Sequence, residues 1–229
     1  MPVYNEGEVI VEVVDKWVRM LDGMGIDYRF SVYNDGSTDR TTEVLANTSS
    51  PWSQVTVYNK ENSGHGPTIL AGYVAATDDA QWVFQMDSDD EIAPECFGGF
   101  WERREEYDFL IGRRISRGRP LARRLISGVS RWVVQLFYGG SVRDVNCPYR
   151  LMRVSAFADC FRKIPAETFA PNVVVTGYAA VKKLRTCELD VPYTVRQTGT
   201  VSIRRWKLLK AAARSMRQTL ACRRLFVKE

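Results

Sequence analysis

The stretch WVFQMDSDDE, from Trp82 to Glu91, passes from an apolar strand-like segment straight into a turn that crowds Asp87, Asp89, Asp90 and Glu91 together. Like charges at such spacing repel by about 1 kcal/mol per pair in bulk water and by more wherever water is excluded. A chain with a formal net charge of +5 and a pI near 9.0 has no need of this cluster for its own charge balance. The acids therefore predict a bound cation. Alternating carboxylates on an extended turn, Asp87, Asp89 and Glu91, suit one hard divalent ion such as Mg2+ or Mn2+, which would in turn neutralise a nucleotide diphosphate. The competing reading is that Asp90 or Glu91 only caps a helix opening near Pro94.

Working outward, the chain alternates strand and helix signals. From Glu6 onward Val9, Val13, Val14, Trp17 and Leu21 fall at helical spacing, with Pro2-Val3-Tyr4-Asn5 read as a turn ahead of them. YRFSVYNDGSTDRT then gives a strand around Phe30 to Tyr33, an Asn-Asp-Gly-Ser turn, and a helix capped by Ser37 or Thr38. SQVTVYN alternates as a strand, Gly64 and Gly66 precede a helix of small residues, and WVFQMD is a third strand. This order predicts one α/β domain built on a mostly parallel sheet with helices on both faces. Ligands of such sheets lie beyond the carboxyl ends of the strands, where Asp35 and Asp39 would join the acidic turn. A carboxylate at Asp35 can accept hydrogen bonds from a ribose or base edge; alone, it is equally turn chemistry. NSGHGPT has the glycines of a phosphate-cradling loop without P-loop or dinucleotide spacing, and its His65 reads as a loop residue.

Composition removes several function classes. His65 is the single histidine, which argues against Ser-His-Asp or Cys-His catalysis and multi-histidine metal sites. The five cysteines are scattered without a CxxC pair, fitting a reducing cytoplasm. No segment approaches the roughly 18 to 20 apolar residues of a membrane span, and the start lacks a signal-peptide layout. Seven arginines and no acid lie between Arg113 and Arg131, and Leu121, Leu125, Val129, Trp132 and Leu136 make a helical stripe among them. That basic amphipathic helix either lies on a membrane surface or packs on the protein's own core. A second basic segment, from Arg204 to Lys228, should place Trp206, Leu209, Ala213, Met216 and Leu220 on one side. A nucleic-acid patch on an α/β scaffold would use the arginines but leave the acids unexplained, so no nucleic-acid partner is expected.

PVYNE, YNDGSTDRT, NSGHGPTILAGY, MDSDDE, VNCPYRLMR and VPYTVRQTGTVS occur in an order and spacing that resembles the family 2 glycosyltransferases of GT-A fold, particularly the dolichyl- or polyprenyl-phosphate sugar synthases. The resemblance spans nearly the whole chain. It implies a Rossmann-like single domain over 1–229, with a nucleotide-sugar-binding half (1–112) and an acceptor-binding half (113–229). It further implies transfer of a sugar from a UDP or GDP donor to an acceptor, with a divalent cation at the Asp-x-Asp sequence. Pro2, Tyr4 and Glu6 then resemble the first nucleotide-contacting turn, Asp35 the acid holding base or ribose, and Asp87, Ser88, Asp89 and Glu91 the metal and diphosphate positions. Arg114, Arg123 and Ser127 stand where relatives hold an acceptor phosphate, joined by Arg196 and Ser202 of a late RxxGxxS element. Asp89, Asp144 and Arg150 are the residues expected to carry catalysis. The resemblance also implies a strand ahead of Pro2 for which this sequence has no residues, so the sheet is expected to lack its first strand. Ile203 stands where many relatives carry Lys, leaving Arg204 to supply that charge.

A lipid phosphate is already an anion and needs no general base, whereas a sugar hydroxyl does. The ETFAPN segment lacks the Glu-Asp pair that hydroxyl-acceptor members place nearby. The expectation is therefore a polyprenyl-phosphate acceptor and a peripheral position on the cytoplasmic face of the membrane. The alternative is a hydroxyl acceptor in cell-surface polysaccharide synthesis with Asp144 as base.

Overall fold

The computed structural model describes residues 1–48, 52–115, 134–136, 138–139, 142–194 and 205–227. Seven strands are joined by helices in the anticipated alternation: β1 (Pro2–Val3), α1 (Ile10–Gly23), β2 (Phe30–Asp35), α2 (Thr41–Thr48), β3 (Val55–Lys60), α3 (His65–Ala75) and β4 (Trp82–Gln85). A short 3-10 turn and α4 (Phe97–Glu102) lead to β5 (Phe109–Ile115), β6 (Arg150–Arg153), α5 (Val154–Lys163), α6 (Pro171–Val181), β7 (Thr186–Pro192) and α7 (Arg205–Val227). α1 forms because Ile10, Val13, Val14, Trp17, Val18 and Leu21 make one buried stripe, on which Trp17 meets Phe84, Phe97 and Tyr149.

The strands form two sheets rather than one. β1-β2-β3 is wholly parallel; β4-β6-β5-β7 is mixed, with β6 antiparallel to both neighbours and β5 parallel to β7. A two-residue β1 stands at the edge of the first sheet. Pro2 and Val3, anticipated as turn, pair with Tyr33 and Asn34 of β2, and the Tyr33 amide donates to the Met1 carbonyl at 2.9 Å. A cleft of about 770 Å³ is lined by Phe30 and Ser31 of the first sheet and by Trp82 and Phe84 of the second.

Two helix assignments shift. α2 begins at Thr41, whose amide donates to Asp39 Oδ1 at 2.9 Å, so Asp39 takes the capping bond expected of Ser37 or Thr38. Those two hydroxyl residues instead grip Asn5: its amide donates to Ser37 Oγ at 3.0 Å, and its Oδ1 accepts the Thr38 amide at 2.8 Å. In α7 the packed face is Ser215, Thr219, Cys222 and Phe226, one residue off the expected stripe, and Ala213 and Met216 are exposed. Phe226 meets Tyr178 of α6 edge-on at 4.9 Å, which sets this register. Of the stripe Leu121, Leu125, Val129, Trp132 and Leu136, the first four lie outside the described residues, and Leu136 is exposed.

Gly66, in the first turn of α3, is a close approach. A Cβ there would sit 2.3 Å from the Phe169 carbonyl oxygen and 2.4 Å from that of Thr168. Backbone cannot step aside as a side chain can, so Gly66→Ala should cost about 1–3 kcal/mol and lower Tm by several degrees in a thermal melt. An unchanged Tm would contradict this packing.

Candidate functional site

The ends of β2, β3 and β4, the loops that follow them and the turn after β1 build one crevice. β4 delivers Asp87 and the acidic turn; β2 delivers Asp35; β3 delivers Lys60 and the loop into α3. Asp87 is half-buried, accepts Gln85 Nε2 at 3.1 Å, and has His65 Nε2 at 3.5 Å. Asp89 Oδ1 accepts the Glu91 amide at 3.2 Å. Asp90 takes positive φ (55°), turning its carboxylate outward to Lys16 at 2.8 Å. Ser88 is buried beneath the turn.

Capping does not explain these acids. The 3-10 turn Pro94–Cys96 starts from Ala93, and no side chain bonds its first amides. The Asp89 carboxyl is pushed up to about 7, first by burial and then by the charges of Asp87 and Glu91. Negative charge is held here against its own repulsion, as at a site completed by a cation. Among the described residues no group of three or more His, Cys, Asp or Glu side chains is placed to hold a metal ion. One or two carboxylates are nonetheless what a Mg2+-type ion takes from a protein when diphosphate oxygens and water fill its other positions. The donor set fits such an ion as a partial one.

Asp35 is buried and thoroughly engaged. It pairs with Lys60 and accepts the amides of Ser63 and Gly64, both at 2.9 Å. Burial opposes its ionisation, but Lys60 and the Ser63 amide outweigh that and hold the carboxyl below its ordinary range. Lys60 also donates to the Glu61 carbonyl and Ser63 Oγ, so the pair fixes the loop entering α3. That loop carries His65 to Asp87. His65, expected as a loop residue, opens α3, and Lys60 had no assigned role, although it closes β3 in register with Asp35, the acid closing β2. Of the first turn, Pro2 is buried, Tyr4 is exposed, and the Glu6 amide donates to Thr41 Oγ1 at 2.9 Å, tying this turn to the start of α2.

The second half places its residues differently from the expectation. Arg114, expected to hold an acceptor phosphate, donates through Nε and Nη2 to Asp144 at 2.8 and 2.9 Å. Asp144, expected as a catalytic group, is buried in that bidentate pair, which makes it a poor proton acceptor. Arg150 is fully buried and gives its protons to the carbonyls of Val145, Cys147 and Asn172, so it clamps the chain and does not face the crevice. A guanidinium wrapped in carbonyls is a structural solution, which the motif alone did not distinguish from catalysis. The Thr194 amide donates to the Glu91 carbonyl at 3.0 Å, joining the segment after β7 to the acidic turn. Arg123, Ser127, Arg196 and Ser202 lie outside the described residues.

Without a metal, the raised Asp89 group makes stability depend on pH. The folded protein keeps a proton that the unfolded chain has released by about pH 4, so this contribution falls as pH rises from there through about 7. Asp89→Asn removes that loss. In metal-free buffer the variant should melt higher than wild type by a smaller margin at pH 5 than at pH 8; an equal offset at both pH values would contradict the raised carboxyl.

The sequence pattern of "Glycosyl transferase family 2" matches residues 1–161. Among curated proteins the chain is 29% identical over 202 residues to undecaprenyl-phosphate 4-deoxy-4-formamido-L-arabinose transferase of Edwardsiella ictaluri, covering 87% of this chain and 60% of the relative. It is 28% identical over 206 residues to the protein of that name in Pectobacterium carotovorum, with the same coverage. The chain thus spans about three fifths of the length of these relatives. Among solved structures, glucosyl-3-phosphoglycerate synthase from Mycobacterium tuberculosis, in complex with Mn2+, UDP and phosphoglyceric acid, superposes with a TM-score of 0.71 at 15% identity, over 97% of this chain and 76% of that one. This likeness concerns the fold, whose mixed α/β layers it shares. With the family pattern running through both loops of the crevice and across the acidic turn, the chain belongs to glycosyl transferase family 2.

Proposed function

We propose that the crevice binds a nucleoside diphosphate sugar, UDP- or GDP-linked, and that the protein transfers the sugar with inversion to a polyprenyl phosphate. One observation carries the donor half of this reading: the loop gripped by Asp35 and Lys60 touches the acidic turn through the His65–Asp87 contact of 3.5 Å. A nucleoside at the first and a diphosphate at the second would be one molecule. Asp87 and Asp89, with the charge of Glu91 beside them, would hold a divalent cation, Mg2+ or Mn2+, which when bound supplies positive charge against the departing diphosphate. An acceptor phosphate oxygen forms the new bond to the anomeric carbon from the face opposite the leaving group, and the electron pair of the broken bond leaves on the diphosphate.

The acceptor assignment rests on the names of the relatives and on the arginines between 113 and 131. Engagement of Asp144 by Arg114 weakens the alternative in which Asp144 deprotonates a sugar hydroxyl, and so favours an acceptor that is already ionised. Residues 1–112 would serve the donor, and 113–229 the acceptor, with Arg123, Ser127, Arg196 and Ser202 meeting its phosphate. Among the described residues no helix is long and apolar enough to cross a membrane. We assign the arginine-rich segment to the headgroup layer of the cytoplasmic leaflet, where each basic side chain contributes about 1 kcal/mol.

The test offers radiolabelled UDP- and GDP-sugars with undecaprenyl phosphate in detergent, with Mn2+ or with EDTA. Label should enter the lipid only with the metal, and Asp89→Ala should reduce that at least 100-fold. Transfer to a free sugar with none to lipid would overturn the acceptor reading. Arg123→Ala should raise KM for the lipid phosphate about tenfold and leave KM for the donor unchanged; equal effects on both would remove it from the acceptor site.

A further inference from the structure

A chain of buried amides runs from the back of the crevice to Asp87. Gln85, two residues earlier on β4 and therefore on the same side of the strand, gives Nε2 to Asp87 Oδ1 at 3.1 Å. Its Oε1 accepts Asn172 Nδ2 at 3.0 Å, and Asn172 Oδ1 lies 2.7 Å from the Tyr73 hydroxyl. All three side chains are buried, with 4%, 4% and 1% of their surface exposed. They come from three separate elements: Tyr73 from α3, Gln85 from β4 and Asn172 from the first turn of α6.

The two amides of this chain have one orientation. An ionised carboxylate only accepts, so Gln85 must offer its NH2 to Asp87 and its carbonyl oxygen to Asn172. Asn172 must then offer NH2 to Gln85, and the Tyr73 hydroxyl, which lies 2.7 Å from Asn172 Oδ1 and 3.0 Å from Gln85 Oε1, gives its one proton to either oxygen. Every donor points toward Asp87. The far end is fixed as firmly, because the Asn172 carbonyl accepts Arg150 Nη1 at 2.9 Å, and Arg150 is locked by Val145 and Cys147. Neither Gln85, Asn172 nor Tyr73 is needed as a polar group for packing; an apolar core would avoid the cost of burying them.

We infer that Gln85 is a positioning residue. Braced by Asn172 and Tyr73, it holds the Asp87 carboxylate in one orientation so that the acidic turn meets a divalent cation preformed. This rests on the proposed role of Asp87 at the cation and donor diphosphate. Partners that orient a ligating group typically govern 10–100-fold in metal affinity. The bracing also gives Arg150 a purpose: it anchors the residue that anchors Gln85.

The test measures Mn2+ binding directly, by the EPR signal of free Mn2+, on the full chain with no donor or acceptor present. Gln85→Met keeps length and removes both polar ends; Tyr73→Phe removes only the last proton of the chain. Tm in EDTA is recorded for each, since a purely structural role would change Tm and leave the Mn2+ Kd of the folded protein unmoved. The expected result is a Kd raised at least tenfold for Gln85→Met and severalfold for Tyr73→Phe, with the double variant no weaker than Gln85→Met alone. Both single variants binding Mn2+ with wild-type Kd would overturn the inference and leave the functional reading standing. If Gln85→Met does not fold, Tyr73→Phe decides: an unchanged Kd overturns the inference. Wild type binding no Mn2+ at millimolar concentration would overturn both.

Discussion

Repulsion among the carboxylates after β4 is the constraint around which the crevice is arranged. Burial and the neighbouring charges hold the Asp89 proton to near neutral pH, and a fold does not keep such a group for stability, since a neutral side chain there would be better. The surroundings keep the turn in place regardless. Asp90 adopts a left-handed backbone and is drawn off to Lys16, the Thr194 amide ties down Glu91, and Gln85 holds Asp87. Each contact fixes the turn, and the charge of Asp87 still acts on Asp89.

Charge elsewhere in the site is used conservatively. Asp35 with Lys60, and Arg114 with Asp144, are close pairs with little exposure. Such pairs add little net stability, because desolvation offsets most of the attraction, but breaking one leaves a buried charge without its partner. Their value here is positional: the first fixes the loop that brings His65 to Asp87, and the second fixes the strand end of β5 against the segment that follows. Arg150 extends the same logic without a carboxylate, using backbone carbonyls and the Thr176 hydroxyl.

Much of the donor side was legible from sequence, for a physical reason. β2, β3, β4 and α1 announce themselves through period-two and period-3.6 apolar patterns, and the acids stand at strand ends, where parallel sheets gather ligands. Tertiary partners were not legible. Nothing local separates an arginine that meets a phosphate from Arg114, committed to Asp144 thirty residues away, or from Arg150, sealed among carbonyls. Pattern also placed the buried face of α7 one residue off, because small polar residues, Ser215 and Thr219, pack where larger apolar neighbours were expected. The two-residue β1 escaped notice because its evidence is pairing with β2 and not its own sequence.

The central claim is that the turn from Asp87 to Glu91 holds a divalent cation against a donor diphosphate. Crystals soaked in MnCl2 and UDP or GDP, with data collected at the manganese absorption edge, address it most directly. The account predicts one anomalous peak within coordination distance of an Asp87 or Asp89 oxygen and of the diphosphate. Nucleotide bound elsewhere, with no peak beside the turn, would contradict it.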